Sequence, residues 1–491
     1  MKKNILLIIV VLLLTFGLVG CGNNNNDVEK EGENNKQYDL GGMEFVIRAN
    51  DAVRTDPREE SYGRMYQNQK VANILAVEEK YNIKVVYKSY PSNASWGASR
   101  DNWIIQNAKL KTTDSHVFEV SSNSVATLAV QGAILPLDEY IVKYGVEGYW
   151  QKKKDFNTIL GKVYAYDDVY SVAEEGIFYN SDLLGKLLGE ENRVKPTELW
   201  EKGEWTWNAF YELSNQLNEI LDENRSEAEG GPQYVIGGRT YDWFYPMSGT
   251  NGAQLVDSNF NAHLTDPANL QTLEFLSSLR EKPGMWIDNA EIWNTIQPEF
   301  KNQNLVFHSG SDWYLSDASR WKGLNFSVDF VPYPVGPRVE AGESEYFQTK
   351  VNSEPAFVIS SAFSKELIPE GYEDLIIHDE LIFQIWSEIV HFPEIDISTG
   401  EPSINDLKDN YYSTKLLPNY ASEKSREAHL SIWDKAVVDH FYSLTESQNH
   451  NESSFMMKLE KAIKNGDIRN VIESINHELQ STLDTKLKNI N

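Results

Sequence analysis

The sequence predicts an α/β fold with two or more domains. Strand, helix and strand with short connections run from Met43 to Tyr87, and the pattern then repeats. A second body of the same alternation begins near Gly161. A chain of 491 residues is long enough to bury several cores.

The first strand is Met43-Glu44-Phe45-Val46-Ile47-Arg48, closed by a polar break at Asn50-Asp51. A helix is expected from about Ser61 to Tyr81, because Val71, Ile74, Leu75 and Tyr81 recur near every 3.6 residues. Ile83 to Tyr87 reads as the next strand, which makes a βαβ unit with a parallel sheet. A helix near Trp103–Lys111, a strand at Val117–Val120 and a helix from about Ser124 to Val130 follow. Leu135-Pro136-Leu137-Asp138 then stops the run.

In the second body, Ile177 to Asn180 is a strand entering a helix that Ser181 suits as N-cap. Thr206 is the expected N-cap of a helix carrying Phe210, Leu213 and Leu217. Tyr241 to Tyr245 precede Pro246, Gly249 and Gly252, which read as a loop. Leu270–Leu279 is an amphipathic helix, and Val328–Val335 is a strand broken by Pro332 and Pro334. Helices are expected at Ser431–Phe441 and Phe455–Leu487.

The N-terminus carries an address. Lys2 and Lys3 precede an apolar run from Ile5 to Val19, then Gly20 and Cys21. A basic start, an apolar stretch shorter than a membrane span and a small residue at the cut describe a secretory signal over 1–20. Leu18-Val19-Gly20-Cys21 resembles the lipobox of bacterial lipoproteins, which implies lipid on Cys21 and Cys21 as the mature N-terminus. Residues 21–40 are rich in Asn and Glu and nearly free of apolar side chains, so they are expected to be a flexible tether. A single cysteine allows no internal disulfide. Removal of residues 1–20 leaves 471 residues and moves the formal charge from −28 to −30, which disfavours nucleic-acid partners.

No GxxxxGK[ST], GxGxxG, HExxH or GxSxG motif occurs, and the nine histidines show no metal-ligand spacing. No catalytic residue, metal site or cofactor is therefore expected. His378-Asp379-Glu380-Leu381 spells a retrieval signal that acts only at a C-terminus.

Four segments in order resemble the family 1 extracellular solute-binding proteins, the lipoprotein receptors of ABC importers that include maltose-binding protein. They are Ser121–Tyr140, Gly161–Leu184, Trp205–Phe210 and Phe300–Tyr314. The resemblance covers roughly residues 41 to 385. It implies a two-lobed periplasmic-binding-protein-like type II fold with discontinuous lobes, a hinge and a helical C-terminal region. Lobe one is expected at 41–170 plus 330–385, and lobe two at 171–329 plus 386–491. Ligand binds between the lobes, and closure buries it.

The implied function is capture of a carbohydrate, an oligosaccharide above all, and its delivery to an ABC permease. The receptor would be a monomer held by lipid on the outer face of a cell membrane, in a Gram-positive bacterium. A peptide or other solute, or a sensor role, is the alternative. An anchored glycosidase with paired carboxylates is a third reading, which nothing in the chain marks. Aromatic residues make up 12% of the chain, and rings can pack on sugar faces while polar groups bond the rim.

The family's cleft turn places Trp313 as a stacking platform, or as core. Asp312 beside it bonds hydroxyls or caps the next turn. Asp242, Trp243 and Tyr245 lie in a stretch the family uses at the cleft, and Tyr170 lies near the crossing between lobes. Ligands in α/β sheets sit beyond strand carboxyl ends. That rule points to Asn50 and Asp51, and to Ser122 and Asn123, with turn formation and capping as the competing role. Trp433 is the candidate for a family aromatic that covers the cleft.

Overall fold

The computed structural model describes residues 38–64, 66–146, 149–224, 233–287, 298–340, 348–351, 353–391, 404–445 and 453–488. Cys21, the signal and most of the tether lie outside the described residues. Among the described residues no helix is long and apolar enough to cross a membrane.

Strand β1, Met43–Ala49, is buried on both faces from Phe45 onward, as a parallel strand covered on either side must be. Helix α1, Gln67–Tyr81, returns the chain to β2, Ile83–Ser89, which pairs with β1 in parallel. Helix α1 starts later than the periodicity predicts, because Tyr66 before it is left-handed, with φ 62°. Helix α2, Gly97–Leu110, leads to β3, Val117–Ser121, which pairs in parallel with the other side of β1. Helix α3, Ser122–Val130, leaves β3 with no intervening loop.

The second sheet begins with β4, Glu175–Asn180, and helix α4, Ser181–Leu188. Asn180, not the expected Ser181, caps α4: its side chain accepts from Leu183 N at 2.9 Å. The Ser181 hydroxyl instead donates to Ser327 O at 3.1 Å. Helix α5, Trp207–Asn224, starts where expected, with Thr206 Oγ1 accepting from Ala209 N at 3.2 Å. Strand β5, Tyr234–Gly237, then enters helix α6, Thr240–Thr250.

Helix α6 corrects the loop expected around Pro246. Proline has no N–H to give the carbonyl four residues back, which is that of Asp242. The Ser309 hydroxyl donates to Asp242 O at 2.9 Å and fills that vacancy, so the helix continues through the proline. Gly249 allows a close approach to the next sheet: a Cβ there would lie 2.8 Å from Lys350 Cγ and 2.9 Å from Gln348 O.

Helix α7, Pro267–Arg280, contains the predicted amphipathic stretch. Strands β6, Leu305–Ser311, and β7, Val328–Val331, complete a sheet in the order β5-β6-β4-β7. Strand β8, Thr349–Lys350, forms a small separate pair described below. Strand β9, Pro355–Ile359, adds antiparallel to β3 and completes the first sheet in the order β9-β3-β1-β2.

The lobe boundaries expected from the sequence cut through elements. Strand β7 crosses 329/330 and pairs with β4. Helix α8, Asp379–Val390, crosses 385/386. Its Trp386 Nε1 donates to Tyr166 O at 2.7 Å and its ring stacks on Phe357 of β9. Each element follows its packing partner.

The C-terminal part holds helices α9, Ile404–Tyr411, α10, Glu423–Ile432, α11, Phe455–Asn465, and α12, Ile468–Leu487. The helix expected over Ser431–Phe441 is broken after Ile432. Ala436–Val437 is instead strand β10, parallel to β8. Tertiary bonding wins there: Asp439 accepts from Leu255 N, Val256 N and Phe441 N and from Lys350 Nζ at 2.9 Å. The single helix expected over Phe455–Leu487 is two, divided at Gly466, whose φ is 64°.

Candidate functional site

A cleft of about 920 Å³ is lined by residues from both sheets. Parallel strands aim their carboxyl ends at it. Strand β1 delivers Asn50, β2 delivers Trp96 through a short polar loop, and β3 ends in Ser121. On the other side β5 leads to Asp242 at the start of α6, and β6 leads through Ser311 to Trp313. The antiparallel strands contribute their amino ends, Glu174 and Glu175 before and in β4, and Glu354 before β9.

The two aromatic side chains that stand out are Trp96 and Trp313, which are 54% and 37% exposed. Each lines the cleft from a different sheet's side, and each is steadied by an arginine. The guanidinium of Arg100 lies 4.9 Å from the Trp96 ring centre, and that of Arg320 lies 5.8 Å from the Trp313 ring centre. Tyr314 packs edge-on against Trp313 at 4.5 Å. Arg100 also donates to Asn50 Oδ1 and to Ser95 O, so Asn50 and the Trp96 loop are held by one side chain. Asn50 N donates to Glu119 Oε2 at 3.0 Å.

Tyr170 lies in the crossing segment on the cleft wall. Its ring stacks on Trp433 at 4.7 Å and 11°, and its hydroxyl accepts from Lys152 Nζ at 3.0 Å. Trp433 is therefore buried behind Tyr170, braces it, and does not line the cleft.

The remaining expected residues lie elsewhere. Trp243 is core: its Nε1 donates to Gly237 O at 2.9 Å and its ring stacks on Phe210. Tyr245, on the same helix, accepts from Asp439 N at 3.0 Å within the interior. Helical geometry explains the split, since neighbours on α6 point in different directions and only Tyr241 and Asp242 reach the cleft. Asp312 is buried behind the wall and accepts from the Tyr411 hydroxyl at 2.7 Å. Asp51 caps the turn after β1, accepting from Val53 N and Arg54 N. Ser122 clamps the crossing to β9: its hydroxyl accepts from Glu354 N at 2.9 Å, while its own N–H donates to Glu354 O at 2.8 Å. Asn123 is buried within α3.

The cleft's carboxyls sit in an unusual environment. Burial pushes Asp242 up to about 7, opposed by Arg239. Burial also pushes Glu354 up to about 7, against the pull of Lys153. Glu174 is raised by burial and then by the negative charge of Asp312 behind it. Asp312 is itself raised by burial, against the Tyr411 hydroxyl. Lys153 is already committed, donating to Asp167 Oδ1 at 2.6 Å and to Pro355 O at 2.9 Å.

Sequence reasoning missed Trp96, Glu174, Glu175, Glu354 and Arg320. Trp96 was within reach, because the strand-end rule applied to β2 lands on its loop. The C-terminal Tyr442 and Met456, which also line the cleft, carry no local signal. Among the described residues no group of three or more His, Cys, Asp or Glu is arranged to hold a metal ion.

Two α/β lobes with strand ends facing a shared cleft define a receptor of the periplasmic-binding-protein type, a fold built to hold a small solute. The chain belongs to the bacterial extracellular solute-binding protein family, whose sequence profile matches residues 68–346. Solved structures share the fold at low identity. An ABC substrate-binding protein from Listeria monocytogenes, in complex with cycloalternan, is 14% identical. Its match covers 90% of this chain and 99% of that one, with a TM-score of 0.54. The sugar-binding protein MalE from Xanthomonas citri is 12% identical over 90% and 98% of the two chains, TM-score 0.55. UgpB from Mycobacterium tuberculosis, in complex with glycerophosphocholine, is 16% identical over 91% and 99%, TM-score 0.53. No curated protein sequence matches the chain.

Proposed function

We propose that the chain is a lipid-anchored receptor that captures an oligosaccharide between its lobes and hands it to an ABC permease. The observation that carries this reading is the pair Trp96 and Trp313. Two exposed indoles line one cleft from the sides of different sheets, each braced by an arginine. Sugar rings present apolar faces that such indoles cover, and a rim of hydroxyls that Asn50, Asp242 and Glu175 can bond. The cycloalternan and MalE structures support a carbohydrate ligand by likeness of fold.

We place lobe one at about 41–170 with 353–391, and lobe two at about 171–351 with 404–488. The crossings at Val169–Val172 and at Val351 with Ser353–Pro355 then serve as the hinge, and both touch the cleft. Lipid on Cys21 holds the receptor at the outer face of the membrane, as a monomer. Binding and closure are the whole mechanism, with no bond made or broken.

The test is a broad glycan panel read by tryptophan emission and melting temperature. A sugar that shifts both supports the reading; no shift from any glycan sinks it. The glycerophosphocholine complex of the mycobacterial neighbour favours a second reading, a non-sugar solute in the same cleft. A response to glycerophosphocholine in place of glycans would establish that reading instead.

A further inference from the structure

The charged side chains that line the cleft are lopsided, while Arg239, Lys415 and Lys152 act on its carboxyls from outside the lining. Among the described residues five carboxylates line it: Glu174, Glu175, Asp242, Asp317 and Glu354. Two cationic side chains line it among the same residues, Lys153 and Arg320. Lys153 is paired with Asp167 at 2.6 Å, with both side chains almost wholly buried. Arg320 is 5% exposed and lies beneath the Trp313 and Tyr314 rings, 5.8 and 5.2 Å from their centres. Its charge is directed at the platform and at Asp242.

Strand pairing fixes this arrangement. Glu175 stands opposite Ser311 across the β4–β6 ladder, and Glu174 accepts from the Ser311 hydroxyl at 3.2 Å. Asp312 follows directly, with its N–H bonded to Glu174 O at 3.1 Å. Three carboxylates therefore crowd one strand end beside Trp313. A fourth, Asp242, stands on the neighbouring helix, whose carbonyl is tied to β6 by Ser309. Trp313, Glu174, Glu175 and Asp242 line the same cleft, where charge is poorly screened.

We propose that the cleft takes neutral and amino-bearing oligosaccharides and rejects those carrying carboxylate, sulfate or phosphate. This rests on the carbohydrate reading and adds the ligand's charge to it. A sugar hydroxyl can donate to each carboxylate, and an ammonium group does so with charge in its favour. A uronate brings another acceptor and another negative charge, and both cations lining the described cleft are already engaged. Burial is the first cause that raises Asp242, Glu174 and Glu354, and the negative charge of Asp312 adds to it at Glu174.

The experiment is a panel matched by charge. It sets chitosan oligomers, N-acetylglucosamine oligomers and neutral malto-, cello- and xylo-oligosaccharides against oligogalacturonates and sulfated oligosaccharides. Binding to the full mature chain is measured by calorimetry in low and moderate salt. Every binder is expected in the neutral or amino class, with uronates at least 100-fold weaker. For an amino-sugar binder, affinity should fall as salt rises. Asp242→Asn, or Glu175→Gln if that variant does not fold, should lower an amino ligand's affinity more than a neutral one's. A uronate or sulfated binder of comparable affinity overturns the proposal while leaving the carbohydrate reading intact. Silence across the entire panel removes the carbohydrate reading, and this proposal with it.

Discussion

At the scale of single residues, the cleft separates side chains that hold the fold from side chains that face the ligand. Trp243 and Trp313 make the contrast. Trp243 is fully buried and hydrogen-bonded, whereas Trp313 is 37% exposed on the wall. Trp313→Ala and Trp96→Ala should each weaken binding of the glycan found by the panel about tenfold or more. Each should leave unliganded stability within about 0.5 kcal/mol of the parent. Calorimetry and urea unfolding give the two numbers, and an equal loss of stability with unchanged affinity would assign the residue to packing. Asp242 makes a prediction about pH. Its carboxyl is raised to about 7 in the fold, from an ordinary value near 3.8. Between those values the native state keeps a proton that the unfolded chain has released. Stability from this group is thus present below about pH 4 and lost as pH rises through 7. Asp242→Asn should therefore be more stable than the parent at pH 8, on the order of 1–2 kcal/mol, and nearly equal at pH 4.5. Unfolding at the two pH values decides it.

At the scale of elements, the sequence made the parallel core legible and the helices around the cleft much less so. Strands β1, β2 and β3 stand where alternation and short connections put them, because local pattern and tertiary burial agree there. Helix α6 does not, because its continuity depends on a hydroxyl 67 residues away. No reading of Pro246 and its neighbours contains Ser309. The same holds for the C-terminal break after Ile432, where Asp439 is drawn into contacts with Leu255 and Val256. Site residues divide in the same way. Asn50 was legible from strand polarity and Trp313 from family resemblance, whereas Glu174, Glu354 and Tyr442 acquire their places only through the folded chain. Ser309→Ala tests the dependence of α6. The hydroxyl also meets Tyr333 at 2.7 Å, so its loss should cost about 1–3 kcal/mol and loosen the Asp242 side of the cleft. Unfolding and hydrogen exchange at residues 242–250 measure both effects. Unchanged protection would show that water fills the vacancy.

At the scale of the whole molecule, the proposed receptor works by closing. A ligand at 100 times its dissociation constant should stabilise it by about 2.7 kcal/mol if it binds only the folded state, a shift that calorimetry can read. The proposed anchor adds a second prediction. Cys21→Ser should yield a protein that still binds ligand but leaves the cell surface, and uptake should fall with it. Undiminished uptake by the released form would separate anchor from function. The tether matters through concentration, because a short flexible chain keeps the receptor near its permease.

The cleft draws on the whole length of the chain. Ser122 grips Glu354 across 232 residues to seat the last strand of the first sheet, and Tyr442 and Met456 arrive later still. Contacts this distant in sequence form slowly. During synthesis, then, the growing chain carries both aromatic platforms from Trp313 onward but an incomplete cleft wall until Tyr442 and Met456 are made. A product stopped before Tyr442 would lack part of the cleft wall, so ligand capture doubles as a check that the whole molecule has been made.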